Sequence, residues 1–250
     1  RHRERTSMVE TAKVALVVGG SRGIGRAIVE RLATSGFDVW LTYRGNHAAA
    51  AEVQAAVEAK GRSCRLLAFD VADRAATRAA LEPLLLERCP DALVFNAGIA
   101  RDNLLAFMRD EEWDAVLRTN LDGFFNVTKP VIFEMIRKKR GRIVVISSIS
   151  GQMGQAGQVN YAASKAGLIG AARALAREVG RKNVFVNVVS PGVIDTEMTA
   201  QLPKEHVLPL IPLNRFGTSE EVAAVVDFLC TEPHMYVHGQ VIGVNGGMAI

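Results

Sequence analysis

A tyrosine and a lysine lie four residues apart in the stretch YAASK, at Tyr161 and Lys165. On a helix this spacing brings both side chains to one face. A phenol can donate a proton to a carbonyl oxygen, but its ordinary pKa of about 10 makes it a poor acid at neutral pH. The ammonium group of Lys165 would favour the phenolate and lower the pKa of Tyr161. The pair therefore predicts proton transfer to a substrate oxygen.

Two further polar residues could complete a carbonyl-reducing site. Ser148 follows an apolar run that predicts a strand, and its hydroxyl could hydrogen-bond the substrate oxygen. Asn120 lies within a predicted long helix, where it could hold a water that links Lys165 to solvent. Ordinary alternatives are a turn-capping role for Ser148 and a solvated amphipathic pair at Tyr161 and Lys165. The interpretation therefore depends on the elements that carry these residues.

Apolar runs alternate with helix-like segments along the chain. Most runs are rich in Val, Ile and Leu with little polar alternation, as in strands buried on both faces of a parallel sheet. Strands are predicted at 14–18, 39–43, 64–69, 92–95, 142–147, 184–189 and 241–244. Helices are predicted at 25–35, 48–60, 74–87, 111–139, 159–180 and 219–229. This alternation predicts an α/β fold, a single-domain Rossmann-type doubly wound parallel sheet with helices on both faces.

A glycine-rich turn, GGSRGIG, joins the first predicted strand to the first predicted helix. Gly19, Gly23 and Gly25 follow a G-x-x-x-G-x-G spacing. In a doubly wound sheet such a turn lies at the carboxyl ends of the strands, where backbone N–H groups of a helix N-terminus can bind a pyrophosphate. Taken alone, the motif could also be a tight turn with close helix packing. With the other motifs it predicts a dinucleotide cofactor.

The end of the second predicted strand indicates which nicotinamide cofactor binds. An NAD site usually has an acidic residue there, whereas NADP needs cations near its 2′-phosphate. The stretch reads LTYRGN, with Tyr43 and Arg44 and no acidic residue, and Arg22 lies within the glycine turn. We therefore expect NADP(H), the alternative being that Arg44 is a solvated loop residue.

These motifs together resemble the short-chain dehydrogenase/reductase family, from Lys13 to Ile250. They occur in the family's order: the glycine turn, Asp70, NAG at 96–98, Asn120, Ser148, YAASK, PG at 191–192 and VNGG at 244–247. Within the family, SRGIG, GQMGQAGQVNYAASKAGLIG and VNGGM are most similar to reductases of β-ketoacyl thioesters on acyl carrier protein, and to acetoacetyl-CoA reductases.

The resemblance implies roles for residues in each motif. It implies a catalytic tetrad of Asn120, Ser148, Tyr161 and Lys165. It places Asp70 and Val71 at the adenine, and Ile194 and Thr196 at the nicotinamide. The full set of implied cofactor contacts is Gly19, Ser21, Arg22, Gly23, Ile24, Gly25, Tyr43, Arg44, Asp70, Val71, Asn96, Ala97, Gly98, Tyr161, Lys165, Pro191, Gly192, Ile194 and Thr196.

The chain departs from the family's pattern at a few positions. Val18 replaces the threonine that usually ties the glycine turn to the neighbouring strand, and Phe95 replaces an asparagine. Pro130 should kink the long fourth predicted helix. The segment at about 197–217 corresponds to the substrate lid of relatives, but it is a few residues shorter and carries three prolines.

The resemblance implies NADPH-dependent reduction of a 3-oxoacyl thioester to the 3-hydroxyacyl thioester, in fatty-acid or polyketide- or polyene-type biosynthesis. The substrate would be carried on acyl carrier protein, or alternatively on CoA. Acyl carrier proteins are acidic, so we expect cations beside the pocket mouth. Lys139 and Lys182, in RKKRGR and RKN, fall at positions that serve carrier docking in these relatives; solvated helix-end cations are the alternative reading.

Two other functions remain open. One is a dehydrogenase or reductase of a free alcohol, sugar or steroid on the same fold. The other is a catalytically silent, cofactor-binding partner subunit, although the intact tetrad argues against it. The stretch 161–176 is almost entirely apolar or small, which predicts a helix buried on both sides, and the resemblance implies a homo-oligomer, the family's tetramer.

Composition argues against several other classes. The net charge of +4 is spread along the chain and aromatic residues are only 6%, so nucleic-acid binding is not expected. No apolar run reaches the roughly 18 residues of a membrane span. Cys64, Cys89 and Cys230 show no zinc or disulfide spacing, which favours a metal-free protein of the cytoplasm. Residues 1–10 lack a signal-peptide core and are expected to form a flexible arm before a single domain at 11–250.

Overall fold

The apolar runs of the sequence form one parallel sheet of seven strands in the part of the chain that the structure describes. The computed structural model describes residues 12–249, so the predicted arm at 1–10 lies outside the described residues. The strands pair in the order β3-β2-β1-β4-β5-β6-β7, always parallel. They are β1 (Val14–Val18), β2 (Asp38–Tyr43), β3 (Cys64–Ala68), β4 (Ala92–Phe95), β5 (Gly141–Ile146), β6 (Val184–Pro191) and β7 (Val241–Val244).

Helices cover both faces of this sheet, which confirms the predicted Rossmann-type fold. Alternate residues of a strand point to opposite faces, so a strand covered on both sides must be apolar throughout. Within residues 12–249 the helices are α1 (Gly23–Thr34), α2 (His47–Glu58), α3 (Arg74–Glu87), α4 (Asp110–Leu117), α5 (Gly123–Lys138), α6 (Ser150–Met153), α7 (Val159–Val179), α8 (Lys204–Val207) and α9 (Ser219–Thr231). In β1, Leu16 packs into the core under α3, α5 and α7, whereas Val17 packs into the core under α1, α2 and α9.

The long helix predicted at 111–139 is divided into two helices. A π-helical segment, Arg118–Asp122, separates α4 from α5. Such segments widen one turn of a helix and are frequent at functional sites. The predicted catalytic residue Asn120 lies in this segment, and α5 continues through Pro130 to Lys138.

The connection order of the sheet reverses between β1 and β4. In doubly wound folds the crevice outside the carboxyl ends of the strands at such a point binds ligands. Gly19 follows β1 and Asn96 follows β4 at this crevice, while Ser148 follows β5 and Gly192 follows β6 on the same edge of the sheet. The predicted site residues therefore share one edge.

The segment predicted as a substrate lid leaves and rejoins the body at one place. Ile194 pairs with Gly217 in an isolated parallel bridge, and the short helix α8 lies between them. Among residues 12–249, the structure contains no helix that is both long enough and apolar enough to cross a membrane.

Candidate active site

Helix α7 and the end of β5 bring three predicted catalytic residues together. Tyr161 and Lys165 lie one turn apart on α7, and the Lys165 Nζ atom is 5.6 Å from the centre of the Tyr161 ring. Ser148 follows β5, and its hydroxyl lies close enough to the Tyr161 phenol to lower the pKa of Tyr161. A hydroxyl, a phenol and an ammonium group therefore meet at the carboxyl edge of the sheet.

Lys165 is buried, with 3% of its surface exposed. Its Nζ atom donates a hydrogen bond to the Ile146 carbonyl at 2.9 Å, at the end of β5. Burial disfavours the charged amine and lowers the pKa of Lys165 to about 8. Below that pH the ammonium is a localised positive charge held beneath the tyrosine ring.

The pKa of Tyr161 is raised in this structure, against the predicted lowering. Burial raises it most; a hydrogen bond from Ser148 acts in the opposite direction and the charge of Asp102 raises it further. The ammonium group of Lys165, 5.6 Å from the ring centre, does not reverse the effect of burial. Tyr161 is consequently a neutral phenol at neutral pH, which is the form that can donate a proton.

Asn120 fastens the loop after β4 to α7. Its Oδ1 atom accepts a hydrogen bond from Ile99 N at 2.8 Å, and its Nδ2 atom donates to the Ile99 carbonyl and to Ser164 Oγ, both at 3.0 Å. The side chain is fully buried. Both amide hydrogens are therefore committed to protein groups, and the water link from Lys165 to solvent stays a prediction.

The glycine turn fits a dinucleotide. Gly19 and Gly23 have φ values of +76° and +52°, which favour glycine. A Cβ atom on Gly25 would lie 2.0 Å from the Gly19 carbonyl oxygen, so the start of α1 can approach the turn only with glycine there. The first turn of α1 reads GIGR and carries no carboxylate, which leaves its N–H groups and dipole available to an anion.

A threonine that the sequence analysis missed replaces the hydroxyl lost at Val18. Thr42 of β2 is the direct register partner of Val18. Its Oγ1 atom accepts a hydrogen bond from Gly19 N at 3.2 Å, and its carbonyl accepts from Gly19 N and Gly20 N at 3.1 Å. The hydroxyl that ties the turn to the neighbouring strand thus comes from that strand itself. Phe95, the other departure, is buried and packs edge-on against Phe124.

The two arginines expected at the NADP 2′-phosphate are exposed. Arg44 Nη1 lies 3.7 Å from Asp70 Oδ2, and Arg22 Nη1 lies 3.6 Å from Glu197 Oε2. Pairs between exposed side chains contribute little, so a phosphate could displace either carboxylate. Beside them, Tyr43 hydrogen-bonds His47 Nδ1 at 2.5 Å.

The remaining predicted cofactor residues surround the same turn. Asn96 Nδ2 donates to the Gly19 carbonyl at 2.9 Å, and Ala97 lies against Gly19. A Cβ atom on Gly98 would lie 3.3 Å from both Asn120 Oδ1 and Lys165 Nζ. The structure brings these residues together with Ser21, Ile24 and Val71, which lie on the loops and helix start at the carboxyl edge.

The loop after β6 closes the other side of the crevice. Gly192 N donates to the Val244 carbonyl at 2.9 Å, which ties the PG turn to the VNGG tail. A Cβ atom on Gly23 would lie 3.7 Å from the methyl of Thr196, so this loop reaches the start of α1. Pro191 ends β6 and the Ile194 side chain is buried in the core.

The predicted docking pair lies at the opposite edge of the sheet. Lys139 is the C-cap residue of α5, just before β5 begins, and Lys182 lies just before β6 begins. The Lys139 carbonyl accepts a hydrogen bond from Asn183 Nδ2 at 3.3 Å, so the two lysine segments adjoin. The expectation that these cations lie beside the pocket mouth of their own chain is therefore wrong, because that mouth is at the carboxyl ends of the strands.

Comparison with known proteins gives relatives that span nearly the whole chain. Residues 13–207 match the family described as short chain dehydrogenase. The chain is 47% identical over 240 residues to the 3-oxoacyl-(acyl-carrier-protein) reductase FabG of Aggregatibacter actinomycetemcomitans, which covers 95% of this chain and 99% of that protein. It is 45% identical over 240 residues to the protein of the same name from Escherichia coli (strain K12), covering 94% and 97%. It is 42% identical over 244 residues to that of Staphylococcus aureus (strain Mu50), covering 96% and 99%.

Proposed function

This chain belongs to the short-chain dehydrogenase family, and from that premise we propose that it reduces 3-oxoacyl thioesters to 3-hydroxyacyl thioesters with NADPH. The acyl group would be carried on acyl carrier protein, as in the names of the relatives that are 42–47% identical. The pathway would be fatty-acid or polyketide-type synthesis. The observation that carries the proposal is the meeting of Ser148, Tyr161 and Lys165 beside a glycine turn that fits a dinucleotide.

The geometry accounts for the proton transfer to the substrate oxygen. When bound, the nicotinamide supplies a hydride to the carbonyl carbon at C3, and the carbonyl electron pair moves to the oxygen. The Ser148 hydroxyl donates a hydrogen bond to that oxygen, and the Tyr161 phenol gives it a proton as the negative charge develops. The ammonium group of Lys165 stabilises the phenolate left on Tyr161. A proton from solvent then restores the phenol.

The cofactor preference rests on charge at the end of β2. Arg44 follows β2 directly, and Arg22 lies in the glycine turn. Both side chains are mostly exposed and paired at more than 3.5 Å, so they can turn toward a 2′-phosphate at little cost. The stretch LTYRGN has no carboxylate that would repel this phosphate.

Exposed apolar side chains favour an acyl chain over a sugar. They lie on the loops that follow the carboxyl ends of β4, β5 and β6, and their exposed fractions range from 40% to 65%. Apolar surface of this kind is typical of a binding groove for an apolar ligand. The residues are Leu104, Met153, Met198 and Leu202.

Carrier docking at Lys139 and Lys182 requires a second copy of the chain. The six residues of β5 separate these lysines from Ser148, a distance of roughly 20 Å at 3.3 Å per residue. In an oligomer, the patch of one copy would lie beside the pocket mouth of another. Small exposed residues on the outer face of α7, Ala163, Ala166 and Gly170, provide a flat surface for such a contact. We therefore propose that the chain forms a homo-oligomer, and that this oligomer is a tetramer.

A cytoplasmic location is proposed from the cysteines. Cys64, Cys89 and Cys230 are free and buried. Burial raises the pKa of Cys64 and Cys230 to about 12, so these thiols resist oxidation. Free cysteines without disulfides are typical of a reducing compartment.

The proposal is tested by assaying NADPH oxidation against 3-oxoacyl groups on acyl carrier protein, on CoA and on a short thiol, together with free ketones, sugars and steroids. We expect the highest kcat/KM with the carrier-bound substrate. A preference for CoA would mean that the substrate is a CoA thioester. A preference for a free ketone would mean that the chain is a reductase of free carbonyl compounds and not of thioesters. No turnover of any substrate would favour the silent partner subunit. The Tyr161→Phe variant is the blank for contaminating reductases.

A further inference from the structure

Three polar side chains form a hydrogen-bonded bridge at the rim of the active site. Gln158 Nε2 donates to Asp102 Oδ2 at 2.8 Å, and Ser150 Oγ donates to Gln158 Oε1 at 2.9 Å. Asp102 lies in the loop after β4, Ser150 begins α6 and Gln158 is the N-cap residue of α7. This Asp102–Gln158–Ser150 bridge therefore connects three segments at the carboxyl edge of the sheet, next to the segments that carry Ser148 and Tyr161.

Ser150 and Gln158 of the bridge each contact a segment that carries a catalytic hydroxyl group. Ser150 N donates to Ser148 Oγ at 3.2 Å. The Gln158 carbonyl accepts from Ala162 N at 2.7 Å, in the first turn of α7 that also carries Tyr161. A shift of the bridge would consequently move Ser148 relative to Tyr161.

Backbone contacts hold the loop on both sides of Asp102. Asn103 N donates to the Gly157 carbonyl at 2.8 Å, and Asn160 Nδ2 donates to the Arg101 carbonyl at 3.0 Å. Asn160 is fully buried. These contacts hold the backbone on both sides of Asp102, whose exposed carboxylate accepts the hydrogen bond from Gln158.

The charge of Asp102 acts on the tyrosine. The Tyr161 phenol is influenced by Asp102 from the loop after β4, by Ser148 from the segment after β5 and by Lys165 from α7 itself. The Asp102 carboxylate raises the pKa of Tyr161, whereas the hydrogen bond from Ser148 lowers it. A negative charge near a phenol favours its neutral form.

We propose that Asp102 and Gln158 are positioning residues for the reduction: their bridge holds the hydroxyl groups of Ser148 and Tyr161 toward the same carbonyl oxygen. The carboxylate of Asp102, which Gln158 holds at the rim, also favours the protonated form of the Tyr161 phenol. The inference rests on the proposed function for its substrate and on the hydrogen bonds above for its geometry.

An exchange of the amide and the carboxylate tests the bridge. In Gln158→Glu two carboxylates face each other and the bridge breaks. In the double variant Asp102→Asn with Gln158→Glu, the new asparagine amide can donate to the new glutamate, which still accepts from Ser150. We expect Gln158→Glu to lower kcat about tenfold or more with KM for NADPH unchanged, and the double variant to recover to within about threefold of wild type. Full activity of Gln158→Glu, or a double variant as slow as the single one, would overturn the bridge.

A spectroscopic titration tests the charge without any substrate. The Asp102→Asn variant keeps an oxygen that can accept from Gln158 but loses the negative charge. Phenolate absorbance, with Tyr161→Phe as the blank, should show the pKa of Tyr161 lowered by about half a pH unit, and less at high salt. The matched control is Asp110→Asn, an exposed carboxylate on α4 outside the bridge. An unmoved pKa in Asp102→Asn contradicts the electrostatic part of the inference.

The two failures are separable. If the wild type reduces 3-oxoacyl thioesters and the bridge variants match it, the positioning role is wrong and the proposed function stands. If the wild type reduces none of the substrates, the proposed function is wrong and the titration alone decides the effect of Asp102 on Tyr161. Thermal unfolding of each variant, compared with wild type, separates loss of position from loss of the fold.

Discussion

The polar side chains of the catalytic centre are buried, whereas the arginines expected to bind the cofactor phosphate are exposed. Lys165 is 3% exposed and Asn120 is fully buried, and each makes fixed hydrogen bonds to backbone groups. The side chains of Arg22 and Arg44 are 72% and 67% exposed and are loosely paired. A buried polar group that loses its partner is costly, whereas an exposed charge is screened and replaceable. Substitutions in the first region should abolish chemistry, and those in the second should change selectivity.

The largest effect is expected at Tyr161, where the proton is transferred. Tyr161→Phe removes an interaction that is made only in the transition state, so kcat should fall by about 10²–10⁴-fold while NADPH binding is nearly unchanged. Steady-state kinetics and NADPH titration by fluorescence measure the two quantities. If more than a tenth of the activity remains, Tyr161 is not the acid and the buried centre is not the site of chemistry.

The difference in unfolding free energy between Lys165→Met and wild type should depend on pH if Lys165 is a buried charge. Its pKa in the folded state is lowered to about 8 from 10.5, so between these values the unfolded chain binds more protons and stability rises with pH. The cost of burying the charge, about 3 kcal/mol, is fully present below pH 8 and is relieved by about pH 10.5. The stability of Lys165→Met relative to wild type should therefore decline over this window.

Unfolding by urea of the cofactor-free protein, from pH 7 to pH 10.5, measures that decline. Lys60→Met, which removes an exposed lysine at the end of α2, is the control and should show no such trend. A difference between Lys165→Met and wild type that stays constant with pH would mean that Lys165 titrates like an exposed amine.

The fold was predictable because its determinants are local. Strands buried on both faces must be apolar throughout, and β1, β4 and β7 begin and end as predicted. The π-helical segment around Asn120 was not predicted, and Asn120 within it donates hydrogen bonds to Ile99 and Ser164, which are distant in sequence. The short helices α6 and α8 were also missed, since four residues carry too little periodicity.

The candidate site was predicted in its residue types but not in its contacts. Residue types and spacing predicted the glycine turn and the Tyr161–Lys165 pair, and the resemblance implied the full tetrad. The hydroxyl of Thr42 became visible only with the register that pairs it with Val18. Likewise, the burial of Tyr161 depends on how α7 packs over β5, and it raises the pKa of Tyr161 where the sequence predicted a lowering. Long-range packing thus decides the electrostatics that spacing alone cannot give.

Arg44 tests whether an exposed cation sets cofactor choice. Arg44→Asp removes a charge-assisted phosphate contact of about 1.5–3 kcal/mol and adds a repulsion, so kcat/KM for NADPH should fall roughly ten- to hundredfold while that for NADH changes little. The control is Arg177→Asp, which changes an exposed arginine in the last turn of α7, away from the glycine turn. Wild-type kcat/KM values that are equal for NADH and NADPH would show that Arg44 is only solvated.

The docking lysines should give a smaller and salt-dependent effect. Lys139→Glu with Lys182→Glu should lower kcat/KM for the carrier-bound substrate about tenfold or more, and turnover of a short thiol analogue should hardly change. Raised salt should weaken the wild type toward the variant. Lys13→Glu with Lys60→Glu changes the net charge equally, away from the two docking segments, and is the control. Equal loss with both substrates would mean that the patch is structural, and loss with neither would favour CoA esters or free alcohols.

The smallest effect is expected at Thr42, a buried hydroxyl that shares its role with a backbone carbonyl. Gly19 N donates to both Thr42 Oγ1 and the Thr42 carbonyl, so Thr42→Val removes one of two acceptors. The NADPH dissociation constant should rise about fivefold, equivalent to about 1 kcal/mol, and kcat should not change. The double variant Val18→Thr with Thr42→Val returns a hydroxyl to the paired strand position and should recover most of the binding.

Thr231→Val controls for the loss of a threonine hydroxyl. Among the described contacts, the Thr231 hydroxyl bonds only the Asp227 carbonyl on α9. Binding that is unchanged in Thr42→Val would mean that backbone hydrogen bonds alone hold the glycine turn, and that buried neutral groups near the cofactor are as replaceable as the exposed arginines.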